Sequence, residues 1–110
     1  MLAAACDDHA PSPAEIVDLS WRAHELVIGA GERAPTCATA AAAMRAVLAL
    51  ARDALAAGMA LEDDPVRFEA ARPYLEQHAA RYQDLDTRMA ALADRCGDDP
   101  AVVAVFRHME

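Results

Sequence analysis

Lysine and asparagine are absent from this chain of 110 residues, so all ten of its basic residues are arginine. That bias matches a GC-rich genome and implies no mechanism. Aromatic residues are scarce at 5%, and much of the 55% hydrophobic content is alanine. Alanine is the strongest helix former and lets helices approach closely, so the composition points to packed helices. No run approaches the roughly eighteen apolar residues that a membrane-spanning helix needs. Positive charge is also short: the net charge is −8, and an acidic surface repels phosphates and anionic lipid, which argues against nucleic acid as a partner.

The chemical motifs are mostly missing as well. His24-Glu25 opens like the zinc motif H-E-x-x-H, but Ile28 stands where the second histidine belongs. There is no Glu-x-x-His pair of the di-metal bundles, no C-x-x-C-H for covalent haem and no glycine-rich phosphate loop. The two serines are Ser12, which reads as a helix cap, and Ser20, which has no spaced His and Asp partners for a triad. Asp63-Asp64 and Asp98-Asp99 read as helix-start charges rather than calcium loops.

What is present is helical periodicity. Ser12, Pro13 and Glu15 form a capping box with proline at the first helical position. Ile16, Leu19, Ala23, Leu26, Val27 and Ala30 then make one apolar face, flanked by Trp21, until Gly29-Ala30-Gly31 weakens the helix and a turn leads to Pro35. A second helix runs from Thr36 to Gly58, with the stripe Cys37, Ala41, Met44, Leu48, Ala51, Leu55. After a loop over 59–63, Asp64-Pro65 opens a third. Its stripe alternates threes and fours through Phe68, Ala71, Leu75, His78, Tyr82, Leu85, Met89, Leu92 and Cys96. Pro73 interrupts the hydrogen bonding there, but the unbroken phase favours one helix kinked at Pro73 over a short helix at 65–71 followed by a second. Asp98-Asp99-Pro100 opens a short fourth helix with Val102, Val103, Phe106 and Met109 on its apolar face. The expected fold is therefore an all-α antiparallel bundle of four helices spanning 12–110, preceded by a leader or tether at 1–11.

Two of the three cysteines sit on helix seams. If the second and third helices lie antiparallel, the start of one meets the end of the other, and Cys37 and Cys96 come within the about 6 Å between Cα atoms that a disulfide needs. The other reading is two buried free thiols. His78 occupies a core-type position between Leu75 and Tyr82, where an imidazole needs a hydrogen-bond partner such as Tyr82 or Glu76. The rival functional reading centres on it: a haem- or metal-binding bundle in which Met44 or Met89 joins His78. No cofactor is otherwise implied; His9 lies in the tether, and His108-Met109 could bind a metal only adventitiously.

The opening Leu2-Ala3-Ala4-Ala5-Cys6, followed by the polar stretch Asp7 to Pro13, resembles the lipobox of bacterial lipoproteins, although the large apolar residue stands four positions before the cysteine rather than three. With Cys37 early in a helix and the turn Cys96-Gly97-Asp98, the chain as a whole is similar to small exported helical lipoproteins of Gram-negative bacteria. The resemblance implies lipidation at Cys6, a periplasmic or outer-membrane-anchored location, and a non-enzymatic role with a protein partner in the envelope. Membrane contact would then come only through the lipid. Trp21 and the acidic segment 62–64 are the candidate contacts. An oxidising compartment agrees with a structural disulfide, whereas a cytosolic adaptor would keep its thiols reduced.

Overall fold

The computed structural model describes residues 11–109, all of whose regular structure is helical. Five helices follow one another: α1 (Pro13–Arg33), α2 (Cys37–Glu62), α3 (Pro65–Gln77), α4 (Ala79–Cys96) and α5 (Pro100–Met109). Cys6 and the leader lie outside the described residues.

Four of the five helix starts among the described residues are capped by a side chain; α4, whose N-cap His78 makes no side-chain cap bond, is the exception. Ser12 and Glu15 exchange the two bonds of a capping box ahead of Pro13. Thr36 and Thr39 do the same for α2. Asp64 accepts from the Arg67 amide, and Asp99 from those of Ala101 and Val102. The ends are less obvious. α1 continues through both of its glycines and stops at Arg33, because Ala34 precedes Pro35 and is pushed to extended backbone (φ −75°, ψ 141°). α2 likewise passes through Gly58 and runs on to Glu62.

Both glycine positions are places where helices touch. A Cβ on Gly58 would stand 2.9 Å from the Ser20 Cβ, and one on Gly31 would stand 2.6 Å from Met44 Sδ and 2.8 Å from Leu92 Cδ2. The first contact draws the end of α2 onto the middle of α1, and the second draws the end of α1 onto the start of α2. Together they make α1 and α2 a close antiparallel pair, the most extensive helix–helix packing in the molecule. The face α1 buries keeps Ile16, Ala23, Val27 and Ala30 of the expected stripe but is rotated toward Val17 and Ile28 and away from Leu19 and Leu26. Ile16, Val17, Ala23, Val27 and Ile28 are buried, whereas Leu19 and Leu26 are 47% and 58% exposed.

Four helices were expected, and five are present among the described residues. The nine-position stripe keeps its inward face, since Ala71, Leu85, Leu92 and Cys96 are buried and the other five are half-buried. The helix bearing it nevertheless breaks, five residues beyond Pro73, at His78 (φ −113°, ψ 24°). A straight helix over 65–96 would extend about 48 Å, against about 32 Å for α1, and much of its apolar face would overhang. The break lets α3 pack on the start of α1 and the end of α2 while α4 runs parallel to α1.

The core is correspondingly in two parts. The larger gathers Val27, Ile28, Ala41, Met44, Leu85, Leu92, Cys96, Val102, Val105 and Met109, so that α5 closes over it; the smaller holds Ile16, Val17, Leu61 and Ala71. Cys37 and Cys96 are joined, with Cα atoms 5.5 Å apart. The bridge forms for a different reason from the one expected. α4 lies along α1 rather than along α2, and the side chains of Met44 and Leu92 meet over Gly31 at the end where all three helices converge.

Candidate functional site

The packing of α4 on α1 rests on a ladder of charges. Asp18, Glu25 and Glu32 are seven apart on α1, and Arg81, Arg88 and Arg95 are seven apart on α4. Arg81 bonds Asp18 (3.2 Å), Arg88 bonds Glu25 (3.3 Å) and Glu32 (2.7 Å), and Arg95 donates to the Gly31 and Ala34 carbonyls at the end of α1. Rising numbers meet rising numbers, so the two helices are parallel. The matched heptad spacing was a usable sequence signal that apolar periodicity alone does not register.

At the first rung the ladder becomes a knot. The Tyr74 hydroxyl donates to Asp18 Oδ1 at 2.9 Å, Arg22 pairs with Oδ2 at 3.0 Å, and the Arg81 guanidinium lies 3.9 Å over the Trp21 ring. The Trp21 indole donates in turn to the Arg81 carbonyl at 3.4 Å. These contacts join α1 to both α3 and α4 across the bend. They also engage Trp21, which is half-buried.

The Tyr74 hydrogen bond, with the charges of Arg22 and Arg81 added, holds the Asp18 carboxyl below the usual carboxylate range. A carboxyl depressed by folding contributes stability above its unfolded pKa, about 4, and that contribution is lost as pH falls through the lower folded value. The stability gap between the wild type and Asp18→Asn should therefore be constant from pH 7 to about 5 and close below about 4. Urea midpoints of both proteins across that range would check it; a gap that persisted at pH 2.5 would refute it.

Beneath the knot, α1, α3, α4 and the end of α2 enclose a half-open cavity of about 300 Å³. Val17, Leu61, Phe68, Leu85 and Met89 give it apolar walls, Trp21 and Tyr82 add aromatic faces, and Glu62 and Asp86 stand on its solvent side. The Tyr82 phenol oxygen is buried with no hydrogen-bond partner among the described residues. Burial pushes the phenol's pKa up, so it remains protonated. A buried hydroxyl without a partner costs about 1–3 kcal/mol. Tyr82→Phe is therefore expected to raise stability by about 1 kcal/mol, read as a higher urea midpoint at unchanged slope; a lower midpoint would mean that the hydroxyl is bonded in solution.

A second concavity, about 400 Å³, lies between α2 and the end of α5. Leu48, Ala49, Leu55, Ala56 and Met59 form its floor, and Arg45, Arg52 and His108 its edges.

The structure places the other sequence candidates as follows. His78 is not a core residue. It is half-buried at the α3–α4 junction with its ring 4.4 Å from that of Tyr74, and its imidazole has no hydrogen-bond partner among the described residues. Met44 is fully buried in the other part of the core, and Met89 is about 16 Å further along the helix path, so neither joins His78. The imidazole of His24 links α1 to α5, one nitrogen 2.8 Å from the Ser20 carbonyl and the other 3.2 Å from that of Met109. In the acidic segment, Asp64 caps α3 and Glu62 belongs to the cavity. Among the described residues no three His, Cys, Asp or Glu side chains form a group fit for a metal ion, and no helix is long and apolar enough to cross a membrane.

The fold and site thus define, over the described residues, an all-helical domain clamped by the Cys37–Cys96 disulfide, with a cavity under Trp21 and a groove between α2 and α5. No family model, curated protein or solved structure matches the chain.

Proposed function

We propose that this protein is a non-enzymatic interaction module, held at the bacterial envelope by a lipid on Cys6, that receives an acidic amphipathic helix of another envelope protein in the groove between α2 and α5. The observation that carries the reading is the charge of that groove. On a chain of net charge −8, Arg45 and Arg52 stand two turns apart on one face of α2, and neither pairs with an acid among the described residues. Arg22, Arg72, Arg81 and Arg88, by contrast, are in ion pairs along their own helices or in the α1–α4 charge ladder. Arg95 bonds main-chain carbonyls, and Arg67 is unpaired among the described residues, like the groove arginines. An apolar floor edged by free guanidinium groups matches a helix with an apolar stripe flanked by carboxylates. Buried aliphatic anchors would supply the affinity, and the arginines the orientation and the association rate.

The test is site-specific photo-crosslinking in the native host. A photoreactive residue at Met59, inside the groove, should give one discrete adduct that disappears with Arg45→Glu and Arg52→Glu. The same residue at Leu50, which is 89% exposed and outside the groove, should give none. An adduct of twice the protein's own mass would replace the foreign partner with a second copy of this chain, and equal labelling from both positions would remove the groove from consideration. The tether is tested separately: metabolic labelling with a fatty acid should mark the protein and fail with Cys6→Ala.

A further inference from the structure

The cavity beneath Trp21 has features that the fold itself does not require. The acids of α1 that face α4 are matched to arginines, but Glu62 and Asp86 on the cavity's solvent side have no cation partner among the described residues. The nearby cations are already committed, Arg81 to Asp18 and Trp21 and Arg88 to Glu25 and Glu32. Both ring nitrogens of His24 face main-chain carbonyls. Inside, the walls are mainly apolar and aromatic, with Ser20 and His24 on the α1 side. A hydrophobic space with uncompensated negative charge at its opening matches one ligand chemistry.

We propose that this cavity binds a small amphiphilic amine, its apolar body against Leu61, Phe68, Leu85 and Met89 and its ammonium group at the opening between Glu62 and Asp86. The volume of about 300 Å³ admits about ten heavy atoms at the roughly 30 Å³ that each water occupies in the liquid. Aromatic faces favour a cation and the two carboxylates disfavour an anion, so charge rather than size decides which amphiphile enters. The site is separate from the α2–α5 groove, and either can fail without the other.

Trp21 is the one tryptophan of the chain and lies on the cavity wall, so its fluorescence reports occupancy directly. The oxidised full chain would be titrated with n-octylamine, 1-octanol and octanoate, which share a tail and differ in head-group charge. The expected result is a saturable change with helical circular dichroism preserved, and an octylamine Kd at least tenfold below that of octanoate, with octanol between them. The pair Glu62→Gln and Asp86→Asn should bring octylamine to within about threefold of octanol. The pair Asp53→Asn and Glu76→Gln, which removes the same charge elsewhere, should leave the preference intact. Equal affinity for the three probes, no saturable response, loss of helix during the titration, or equal effects of the two charge pairs would each overturn the proposal.

Discussion

Reducing the Cys37–Cys96 bridge is expected to cost about 4 kcal/mol of folding stability. The two cysteines are separated by 59 positions, and closing a loop of that length removes about 4 kcal/mol worth of denatured-chain entropy at 25 °C. A domain of this size has about 5–15 kcal/mol in total, so the bridge accounts for a large fraction. The expected fall in Tm is about 15–25 °C. The effect is not confined to the denatured state. Cys96 is almost fully buried where α1, α2 and α4 converge, and the half-exposed ion pairs between α4 and α1 add little to the apolar contacts there. Urea unfolding with and without a phosphine reductant, compared with the double variant Cys37→Ser and Cys96→Ser, would measure it. The reduced wild type and the double variant should coincide. A midpoint unmoved by reduction would show that the bridge closes nothing that packing has not already closed.

The same bridge shows how a correct expectation can rest on the wrong neighbour. Heptad spacing on α2 and on the long stripe identified both cysteines as inward-facing, and that part was legible because burial follows period. Which helix lies against which was not legible, because a stripe states that a face is buried without naming the surface that covers it. The charges hold that information. Asp18, Glu25 and Glu32 opposite Arg81, Arg88 and Arg95 specify that α4 lies parallel to α1, and they do so at the spacing of a heptad. The break at His78 was hidden for a related reason. The stripe's phase survives it, and Pro73, the conspicuous local signal, is tolerated inside α3. What ends the helix is the length available on α1, a tertiary quantity. At the candidate sites the apolar residues of the cavity were visible as core positions, but its shape, the solitary Tyr82 hydroxyl and the unpaired state of Glu62 and Asp86 depend on what other helices bring near them.

Two glycines two positions apart give the second large prediction, and it has opposite signs. By sequence, Gly29 and Gly31 look equivalent, and each weakens the helix by up to about 1 kcal/mol relative to alanine. The structure separates them. A Cβ on Gly29 would meet only the exposed Arg33 guanidinium at 3.1 Å, which can swing aside, so Gly29→Ala should keep the propensity gain and stabilise the protein by about 0.5–1 kcal/mol. A Cβ on Gly31 would be driven against Met44 Sδ and Leu92 Cδ2, at 2.6 and 2.8 Å, in the fully packed core beside the disulfide. Neither side chain can leave, so α1 must lift from α2 or α4, and overpacking of this kind costs about 1–3 kcal/mol. Gly31→Val, which adds branching at the same point, should cost about 3 kcal/mol or more. Because the conflict is with one sulfur and one methyl, it is also local. Met44→Ala alone should be destabilising by about 2–5 kcal/mol, yet combined with Gly31→Val it should cost less than the sum of the two, the added methyls occupying space that the methionine has vacated. A double-mutant cycle in urea decides the matter. Additive costs, or a Gly31→Ala protein as stable as Gly29→Ala, would mean that the three helices do not meet at Gly31.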